Sequence, residues 1–278
     1  NVTNIDFIKT IIGEEELNTD SEYILKLFIE KMNSIGVINH DNIIIVCKFI
    51  IYNLVGSFSI LILIENYGMI AFRDRFGIRP LIYGVNTDSY IVSSESVVLD
   101  VLNYNIVRDV EPGEMIVFEN NSPPRFSKTK NTTLNPCLFE YIYFSRIDSI
   151  IDGISVYDAR YQMGILLGER IKKMNLTDID MIVPVPESSL IFALGLQECL
   201  NIKIQYGLVK NPYIDRTFIM KEDKIINKSI KRKLNAVKTI MNGKNILIVD
   251  DSIVRGNTSS HIVNIVKNAG SKKIYIAS

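Results

Sequence analysis

Residues 245–260 have the order Asn-Ile-Leu-Ile-Val-Asp-Asp-Ser-Ile-Val-Arg-Gly-Asn-Thr-Ser-Ser, which is an apolar run, two carboxylates and then small residues. The run 246–249 has the composition of a buried parallel strand. Asp250 and Asp251 follow it, so they are expected at the carboxyl end of the strand, where open α/β sheets hold ligands. Two adjacent acids can accept hydrogen bonds from sugar hydroxyls or help to hold a cation. The stretch therefore predicts a ligand site in an α/β domain.

A turn of small and polar residues follows the two acids. Its backbone N–H groups and hydroxyls precede an amphipathic stretch that predicts a helix from about 258 to 268. A helix N-terminus behind such a turn favours a phosphate group. The alternative is that Asp-Asp-Ser only caps the helix after a core strand, and two acids alone leave both interpretations open. The whole string is more specific, because it resembles the phosphoribosylpyrophosphate (PRPP) signature of type I phosphoribosyltransferases.

Composition limits the class of protein. The chain has 278 residues, a formal net charge of zero and two His, which argues against a nucleic-acid surface. A short basic cluster is either solvated or faces a phosphate; it contains Lys228, Lys231, Arg232 and Lys233. The three Cys lie too far apart for a disulfide framework or a self-contained zinc site, and they favour a reducing, cytoplasmic environment; they are Cys47, Cys137 and Cys199.

Neither a membrane span nor a signal peptide is expected. The apolar stretch 42–64 is interrupted by Lys48, Gly56 and several polar residues, so a buried helix, a glycine turn and a strand explain it better. The first residues, 1–4, have neither the basic region nor the apolar core of a signal peptide. Because there is no initiator Met and the last residues suggest an incomplete α/β unit, we expect a fragment of a longer protein.

The first half of the chain predicts a helical layer on an antiparallel sheet. Helices are expected at about 21–34 and 41–54, where apolar residues recur with helical spacing. Short apolar runs bounded by turn residues then predict strands at 58–64, 69–73, 81–83, 90–93 and 115–118. The polar stretch 120–135, which contains two prolines, predicts a linker. We therefore expect a domain boundary near residue 130.

Beyond that boundary, helices and strands alternate, which predicts a parallel sheet with helices on its faces. The expected helices are 158–174, 189–200 and 258–268, and the expected strands are 181–185, 203–208, 245–249 and 273–277. The interval 211–242 is polar and basic without strong periodicity. It is typical of a mobile loop over an anionic ligand or of an ordinary surface excursion.

Further motifs accompany the PRPP signature. The string Phe-Arg-Asp-Arg-Phe-Gly-Ile-Arg-Pro-Leu occupies 72–81, and similar matches occur at 18–22, 93–96, 137–146, 184–189 and 209–220. Together they resemble the glutamine phosphoribosylpyrophosphate amidotransferase family along nearly the whole chain. The resemblance implies α+β and α/β architecture. Residues 1–130 would be an Ntn-hydrolase (αββα) glutaminase domain that lacks its N-terminal part. Residues 131–278 would be a type I phosphoribosyltransferase domain that lacks its C-terminal part.

The resemblance also implies an activity. Glutamine-derived ammonia would displace pyrophosphate from PRPP to give 5-phosphoribosylamine, the first committed step of de novo purine (IMP) biosynthesis. Expected partners are glutamine, PRPP, Mg²⁺ and further copies of the chain, commonly in a tetramer, with no nucleic acid and no membrane. The alternative is a non-catalytic PRPP-binding regulator. An enzyme with another ammonia acceptor, such as an asparagine synthetase, would need a nucleotide-pyrophosphatase motif, and the sequence shows none.

Site residues follow from the family motifs. The implied Mg²⁺ positions are Ser188, Asp250 and Asp251. The implied PRPP-binding residues are Asp250, Asp251, Ser252, Arg255, Gly256, Thr258 and Ser259. A flexible loop and an ammonia channel would use Lys210, Tyr213, Arg216, Ile219 and Tyr143. Asp20 resembles the carboxylate that binds the α-amino group of glutamine, and it is also a candidate N-cap. For Arg73, Asp74, Gly77 and Arg79 we favour a structural role.

The sequence departs from the family pattern at the nucleophilic Cys, and it leaves a second family feature, an iron–sulfur cluster, without its full set of ligands. The family's nucleophile is an N-terminal Cys whose own α-amino group acts as the base, and each of the three Cys here is internal. The segment alone is therefore not expected to hydrolyse glutamine. Cys137 aligns with a ligand of a 4Fe-4S cluster in some relatives, but others keep a Cys there without a cluster. Since the remaining ligands would lie beyond Ser278, no cluster is expected.

Overall fold

The computed structural model describes residues 1–14, 16–211 and 234–278. These residues form two compact units. The first unit contains Asn1–Glu140 and Ser145–Ser155, and the second contains Tyr141–Phe144 and Val156–Ser278. The functional domain boundary expected near residue 130 stays a prediction. Across the described residues, no helix combines the length and the apolar composition that a membrane crossing requires.

The first unit begins with a helical layer. Its helices are α1 (Ile5–Ile12), α2 (Asp20–Ile35) and α3 (His40–Asn53). The predictions for α2 and α3 are confirmed to within one residue at each end. The short helix α1 was not predicted. These helices bury one apolar face each, with Ile8, Leu27 and Ile50 in a single cluster.

Strands and one short helix make up the rest of this unit. They are β1 (Ser59–Ile64), β2 (Gly68–Arg73), β3 (Ile82–Val85), β4 (Tyr90–Ser93), α4 (Ser96–Val101), β5 (Asn105–Asp109), β6 (Glu114–Glu119), β7 (Arg125–Lys128), β8 (Ile150–Ile151) and β9 (Ile154–Ser155). One antiparallel sheet has the order β1-β2-β6-β7, and another has the order β4-β3-β5. A β8–β9 hairpin lies close to the end of the unit.

The two sheets and the helices form layers because each strand exposes alternate residues to opposite sides. Phe72 and Met115 point into the helical cluster. Their neighbours Ala71 and Ile116 pack instead with Tyr83 of the second sheet. This arrangement agrees with the predicted helical layer on an antiparallel sheet.

The linker predicted at 120–135 is partly wrong. Residues 125–128 form β7, which pairs with β6 in register Met115 to Ser127 and Val117 to Arg125. The two prolines lie before this strand, so they end the preceding turn without interrupting the pairing.

The second unit has the alternating pattern of an α/β domain. Its elements are α5 (Val156–Lys173), β10 (Met181–Pro184), α6 (Leu190–Leu200), β11 (Leu208–Lys210), β12 (Leu234–Ala236), α7 (Lys238–Met241), β13 (Asn245–Val249), α8 (Asn257–Asn268) and β14 (Lys273–Ala277). A π-helical turn covers Glu140–Phe144, where the chain passes between units. Strands β10, β13 and β14 form a parallel sheet in that order. The predicted α/β class is confirmed.

Alternation along β13 explains how both faces of this sheet are covered. Ile246 and Ile248 pack in one cluster with Ile262 of α8. Leu247 belongs to the opposite cluster, which includes Phe192 of α6. A strand buried on both faces needs an uninterrupted apolar run, and that run was the signal in the sequence.

The strand predicted at 203–208 is wrong. Ile204 forms a single bridge, to Ile182, and Leu208 is already the first residue of β11. The chain then turns, with the Gly207 N–H donating to the Gln205 carbonyl at 2.8 Å. The strand that follows, β11, pairs antiparallel with β12 and lies outside the parallel sheet.

Candidate phosphoribosyl site

Two loops of the second unit begin at the same edge of the parallel sheet. Pro184, the last residue of β10, lies opposite Val249, the last residue of β13. The Val185 N–H donates to the Val249 carbonyl at 2.9 Å, so the strands stay paired up to their carboxyl ends. We call this region the carboxyl edge; it comprises the loop 185–189 after β10 and the segment 250–259 after β13. This is the part of an open α/β sheet that holds ligands.

Asp250 and Asp251 occupy the carboxyl edge as the sequence predicts. The Asp250 N–H donates to the Ala277 carbonyl at 3.0 Å, which anchors the start of the loop to β14. Oδ1 of Asp250 accepts the Asp251 N–H at 3.1 Å, and the Ser252 hydroxyl donates to Oδ1 of Asp251 at 3.1 Å. Oδ2 of Asp251 is excluded from solvent and has no hydrogen-bond partner among the described residues. The loop thus presents an unsatisfied carboxylate oxygen.

Burial, and secondly the negative charge of Asp251, together raise the pKa of Asp250 to about 6. The ionised form of this carboxyl is disfavoured for two reasons: it is buried away from solvent, and it lies beside a like charge. A bound cation, or hydroxyl groups that donate to the carboxylates, would offset both effects. Carboxylate oxygens with nearby hydroxyls also form a ligand set that suits Mg²⁺. The residues present therefore fit that ion.

The phosphate-binding turn predicted at 255–259 is partly helical. Gly256 has φ 74° and is the N-cap of α8, so Thr258 and Ser259 lie in the first helical turn. Among the described residues, no side chain caps this end of the helix. Arg255 and Thr258 are exposed, and Ser259 is half-buried. An uncapped N-terminus with exposed hydroxyl and guanidinium groups can receive an anion.

The opposite loop, 185–189, has a different character. Ser188, a predicted Mg²⁺ ligand, is half-buried, and its neighbour Ser189 is fully buried. The Ser189 N–H donates to the Val185 carbonyl at 3.4 Å. Its hydroxyl oxygen has no hydrogen-bond partner within the described part of the chain. Ser189 was not predicted as a site residue, because its only signal in the sequence is its position beside Ser188 at the start of a helix.

Lys210 ends β11 and lies near the same loop. Its Nζ atom is 3.6 Å from Oε2 of Glu187, and both side chains are largely exposed. Glu187 was not predicted as a site residue. Lys210 thus places a positive charge beside the carboxyl edge, where Glu187 partly neutralises it in the ligand-free protein. The predicted residues Tyr213, Arg216 and Ile219 lie outside the described residues, as does the basic cluster 228–233.

In the first unit, Asp20 is not the N-cap of α2. Thr19 caps this helix, because its hydroxyl oxygen accepts the Glu22 N–H at 3.3 Å. Asp20 is the first helical residue, and its Oδ2 accepts the Val2 N–H at 3.1 Å. The carboxylate is half-buried. Its glutamine-binding role stays a prediction, while the capping alternative is wrong.

The Arg-Asp-Arg-Phe-Gly motif forms a hydrogen-bonded hub. The buried Arg73 guanidinium donates to the carbonyls of Gly77, Arg79 and Val110 at 2.7–2.8 Å. Its remaining two N–H groups bind both carboxylate oxygens of Asp152 in the β8–β9 hairpin. All the donors of the side chain are therefore used internally.

The buried carboxylate of Asp74 binds the backbone of the same motif. Its Oδ1 accepts the Phe76 N–H at 2.9 Å, and its Oδ2 accepts the N–H groups of Phe58 and Ile78 at 3.2 Å. Gly77 has φ 57°, where an added Cβ would lie 2.9 Å from Pro112. Arg79 pairs with the buried Glu140 at 2.7 Å. These contacts give each of the four motif residues a structural role, as the sequence analysis favours.

Two other candidate residues, Tyr143 for the ammonia channel and Cys137 as a cluster ligand, are distant in sequence from the carboxyl edge. Tyr143 is exposed, and its ring centroid lies 5.8 Å from that of Phe144. Cys137 is half-buried, and its N–H donates to the Ile78 carbonyl at 2.9 Å. Among residues 1–14, 16–211 and 234–278, no three His, Cys, Asp or Glu side chains are grouped to hold a metal ion on their own.

Comparison with known proteins supplies the family. The family described as "Glutamine amidotransferase domain" matches residues 13–101. Amidophosphoribosyltransferase of Escherichia coli is 42% identical over all of this chain, and that of Saccharomyces cerevisiae is 39% identical over the same extent. Each match covers 58% of the relative's length. The chain thus spans somewhat more than half of the curated relatives that it matches.

A solved structure agrees in fold. Glutamine PRPP amidotransferase from Bacillus subtilis, complexed with ADP and GMP, superposes on 99% of this chain with a TM-score of 0.84 at 34% identity. The match covers 59% of that structure's chain. Both units therefore have counterparts in one known enzyme. By sequence and by fold, the chain is a homologue of the amidophosphoribosyltransferases along its entire length.

Proposed function

We propose that the protein to which this chain belongs is an amidophosphoribosyltransferase. Water would hydrolyse the side-chain amide of glutamine to glutamate and ammonia. The ammonia nitrogen would form a bond to C1 of PRPP while the bond from C1 to the pyrophosphate oxygen breaks, and the nitrogen would lose one proton. The products would be 5-phosphoribosylamine, pyrophosphate and glutamate, at the first committed step of purine synthesis. Because the chain spans only part of its relatives, this activity belongs to the whole protein.

One observation carries the proposal. Two adjacent carboxylates stand at the carboxyl ends of paired parallel strands, ahead of an uncapped helix N-terminus, in a chain similar throughout to enzymes of this name. A ribose with vicinal hydroxyls and a 5-phosphate has the complementary groups: donors for the acids and an anion for the helix. A ligand with only one of these features would leave part of the edge unsatisfied.

Different carboxyl-edge residues would bind different parts of Mg-PRPP. Asp250 and Asp251 would accept the ribose hydroxyls and, with Ser188, hold Mg²⁺. Arg255, Gly256, Thr258 and Ser259 would bind the 5-phosphate, with Ser252 supporting Asp251. When bound, Mg²⁺ would neutralise charge that develops on departing pyrophosphate. Lys210 and Arg216 would add positive charge on the side of the leaving group, and Tyr213 would belong to the same flexible loop.

The glutaminase half would supply the nitrogen. Asp20 would bind the α-amino group of glutamine, and Tyr143 with Ile219 would line the route of ammonia. A homo-oligomeric assembly and a cytoplasmic location stay predictions. The competing function, a PRPP-binding regulator without catalysis, shares the ligand but not the chemistry, so a measurement of turnover separates them.

The test measures pyrophosphate release from Mg-PRPP by the full-length protein, with glutamine or with ammonia as the donor. A matched variant carries Asp250→Asn and Asp251→Asn, which keep the side-chain shapes and remove both charges. Release with either donor that this variant abolishes supports the proposal. A folded wild-type protein that binds Mg-PRPP but releases no pyrophosphate with either donor would overturn it in favour of the regulator.

A further inference from the structure

Ser189 is an anomaly at the carboxyl edge. Its side chain is completely buried at the junction of loop 185–189 and α6. Its backbone is used normally: the carbonyl accepts the Ala193 N–H at 3.0 Å, and the N–H reaches the Val185 carbonyl. The hydroxyl, however, has no hydrogen-bond partner anywhere in the described residues. Buried hydroxyls are rarely left in this state unless a water, an ion or a ligand completes them.

A second unsatisfied oxygen lies on the neighbouring loop. Oδ2 of Asp251 is also excluded from solvent and lacks a partner within the residues described. The hydrogen bond between Val185 and Val249 shows that the two loops leave adjacent strands at one edge. A hydroxyl oxygen and a carboxylate oxygen can both accept hydrogen bonds, so one hydrated group between them could donate to both.

Hydrated Mg²⁺ has the required chemistry. This ion loses its waters reluctantly and is usually held through a few protein oxygens, with several waters retained. A water in its hydration shell gives a lone pair to the ion and keeps two O–H groups. One can donate to a carboxylate oxygen and the other to a neighbouring hydroxyl oxygen. Ser189 and Asp251 supply that combination of groups.

We propose that Ser189 is a positioning residue for the hydrated divalent cation that accompanies PRPP. Its hydroxyl oxygen accepts a hydrogen bond from a cation-bound water, and the same water donates to Oδ2 of Asp251. The inference rests on the proposed function and adds to it a residue beside the predicted ligand Ser188. In the ligand-free protein the hydroxyl is an uncompensated polar group, and it gains its partner only on binding.

The inference predicts opposite effects on stability and on binding. Ser189→Ala removes a hydroxyl that lacks a partner, so the ligand-free protein should be as stable as the wild type or more stable. The same change should weaken Mg-PRPP binding about tenfold, as expected for a lost hydrogen bond to a charged group. Removing Mg²⁺ should make the wild type and Ser189→Ala bind PRPP equally, because the water that the hydroxyl contacts is then absent.

Ser149→Ala is the matched control. Ser149 is also buried, but its hydroxyl donates to Oε2 of Glu95 at 2.8 Å, in the first unit. This variant should lose stability and keep the wild-type affinity for Mg-PRPP. The comparison separates the removal of a satisfied hydroxyl from the removal of an unsatisfied one.

The experiment uses the full-length protein, with urea denaturation in the absence of ligand and titration calorimetry with PRPP, with and without Mg²⁺. Undiminished Mg-PRPP affinity in Ser189→Ala would overturn the inference, as would a stability loss equal to that of Ser149→Ala. Failure of the wild type itself to bind Mg-PRPP would instead overturn the proposed function. The two failures are therefore distinguishable.

Discussion

The carboxylate of Asp152 binds the guanidinium of Arg73 through two parallel hydrogen bonds, with Nη1 to Oδ1 at 2.7 Å and Nη2 to Oδ2 at 2.9 Å. Both side chains are almost fully buried. The pair joins strand β2 to the β8–β9 hairpin, which is 79 residues later in the chain. Fork-to-fork geometry of this kind is available to Arg and not to Lys.

Arg73→Ala should therefore destabilise the protein by about 3–5 kcal/mol, because it leaves a buried carboxylate and several carbonyls without donors. Urea denaturation of the full-length protein checks this. The control is Arg146→Ala. Arg146 pairs with Asp148 in an exposed position, so its loss should reduce stability far less than the loss of Arg73. Equal losses in the two variants would show that the buried hub is not the stabilising feature.

Gly164→Ala should destabilise the protein, although Ala is the better helix former by about 1 kcal/mol. A Cβ at Gly164 would lie 2.1 Å from the Phe192 carbonyl oxygen, so α5 and α6 would have to separate. At Gly168 the added Cβ would lie 2.7 Å from the Cβ of Cys199, which is a smaller overlap than the one at Gly164. We therefore expect Gly168→Ala to lower the thermal unfolding midpoint less than Gly164→Ala. A rise for Gly164→Ala would refute this close contact.

Asp250→Asn should stabilise the ligand-free protein at neutral pH. The folded-state pKa of Asp250 is raised to about 6 from an ordinary value near 3.8, so the folded protein binds this proton more tightly than the unfolded chain does. Ionisation consequently costs stability in full above pH 6. The cost shrinks as the pH falls from 6 and is gone below the ordinary value. Denaturation of both proteins across this range should show their stability difference converging at acid pH; a difference that is constant with pH would contradict the assignment.

Glu187→Gln should strengthen Mg-PRPP binding modestly at low salt. In the ligand-free protein Glu187 lies 3.6 Å from Lys210, and it would compete with pyrophosphate oxygens for that positive charge. Because both side chains are exposed, the expected gain is only about two- to fivefold and should disappear at high salt. Calorimetry at two ionic strengths measures it, and Lys210→Gln should reduce affinity under the same conditions. Weaker binding by Glu187→Gln would mean that Glu187 contacts the ligand favourably.

The sequence predicted elements with continuous apolar runs best. Strands β13 and β14 each begin one residue before their apolar runs, at Asn245 and Lys273, and end with those runs. In β13, which is buried on both faces, the apolar run is the main signal. The predicted strand 203–208 failed because alternation at Ile204 and Tyr206 imitates a strand, while only Ile204 has a pairing partner. Pairing is a tertiary property that a short alternating run does not reveal.

The site residues follow the same rule: those with a local sequence signal were predicted, and those that depend on tertiary packing were not. Paired acids after an apolar run were sufficient to predict the carboxyl edge from sequence. The burial of Ser189 and the approach of Glu187 to Lys210 depend on how separate segments pack, so neither could be predicted. The same holds for Arg73, whose acceptor carbonyls at Gly77, Arg79 and Val110 come from different turns.

The most direct test of the central claim is a crystal structure of the full-length protein with Mg²⁺ and PRPP and without glutamine. The account predicts the ribose hydroxyls at Asp250 and Asp251 and the 5-phosphate over residues 255–259, with the cation on the side of Ser188 and Ser189. PRPP bound elsewhere, or a carboxyl edge that stays empty at saturating ligand, would contradict it.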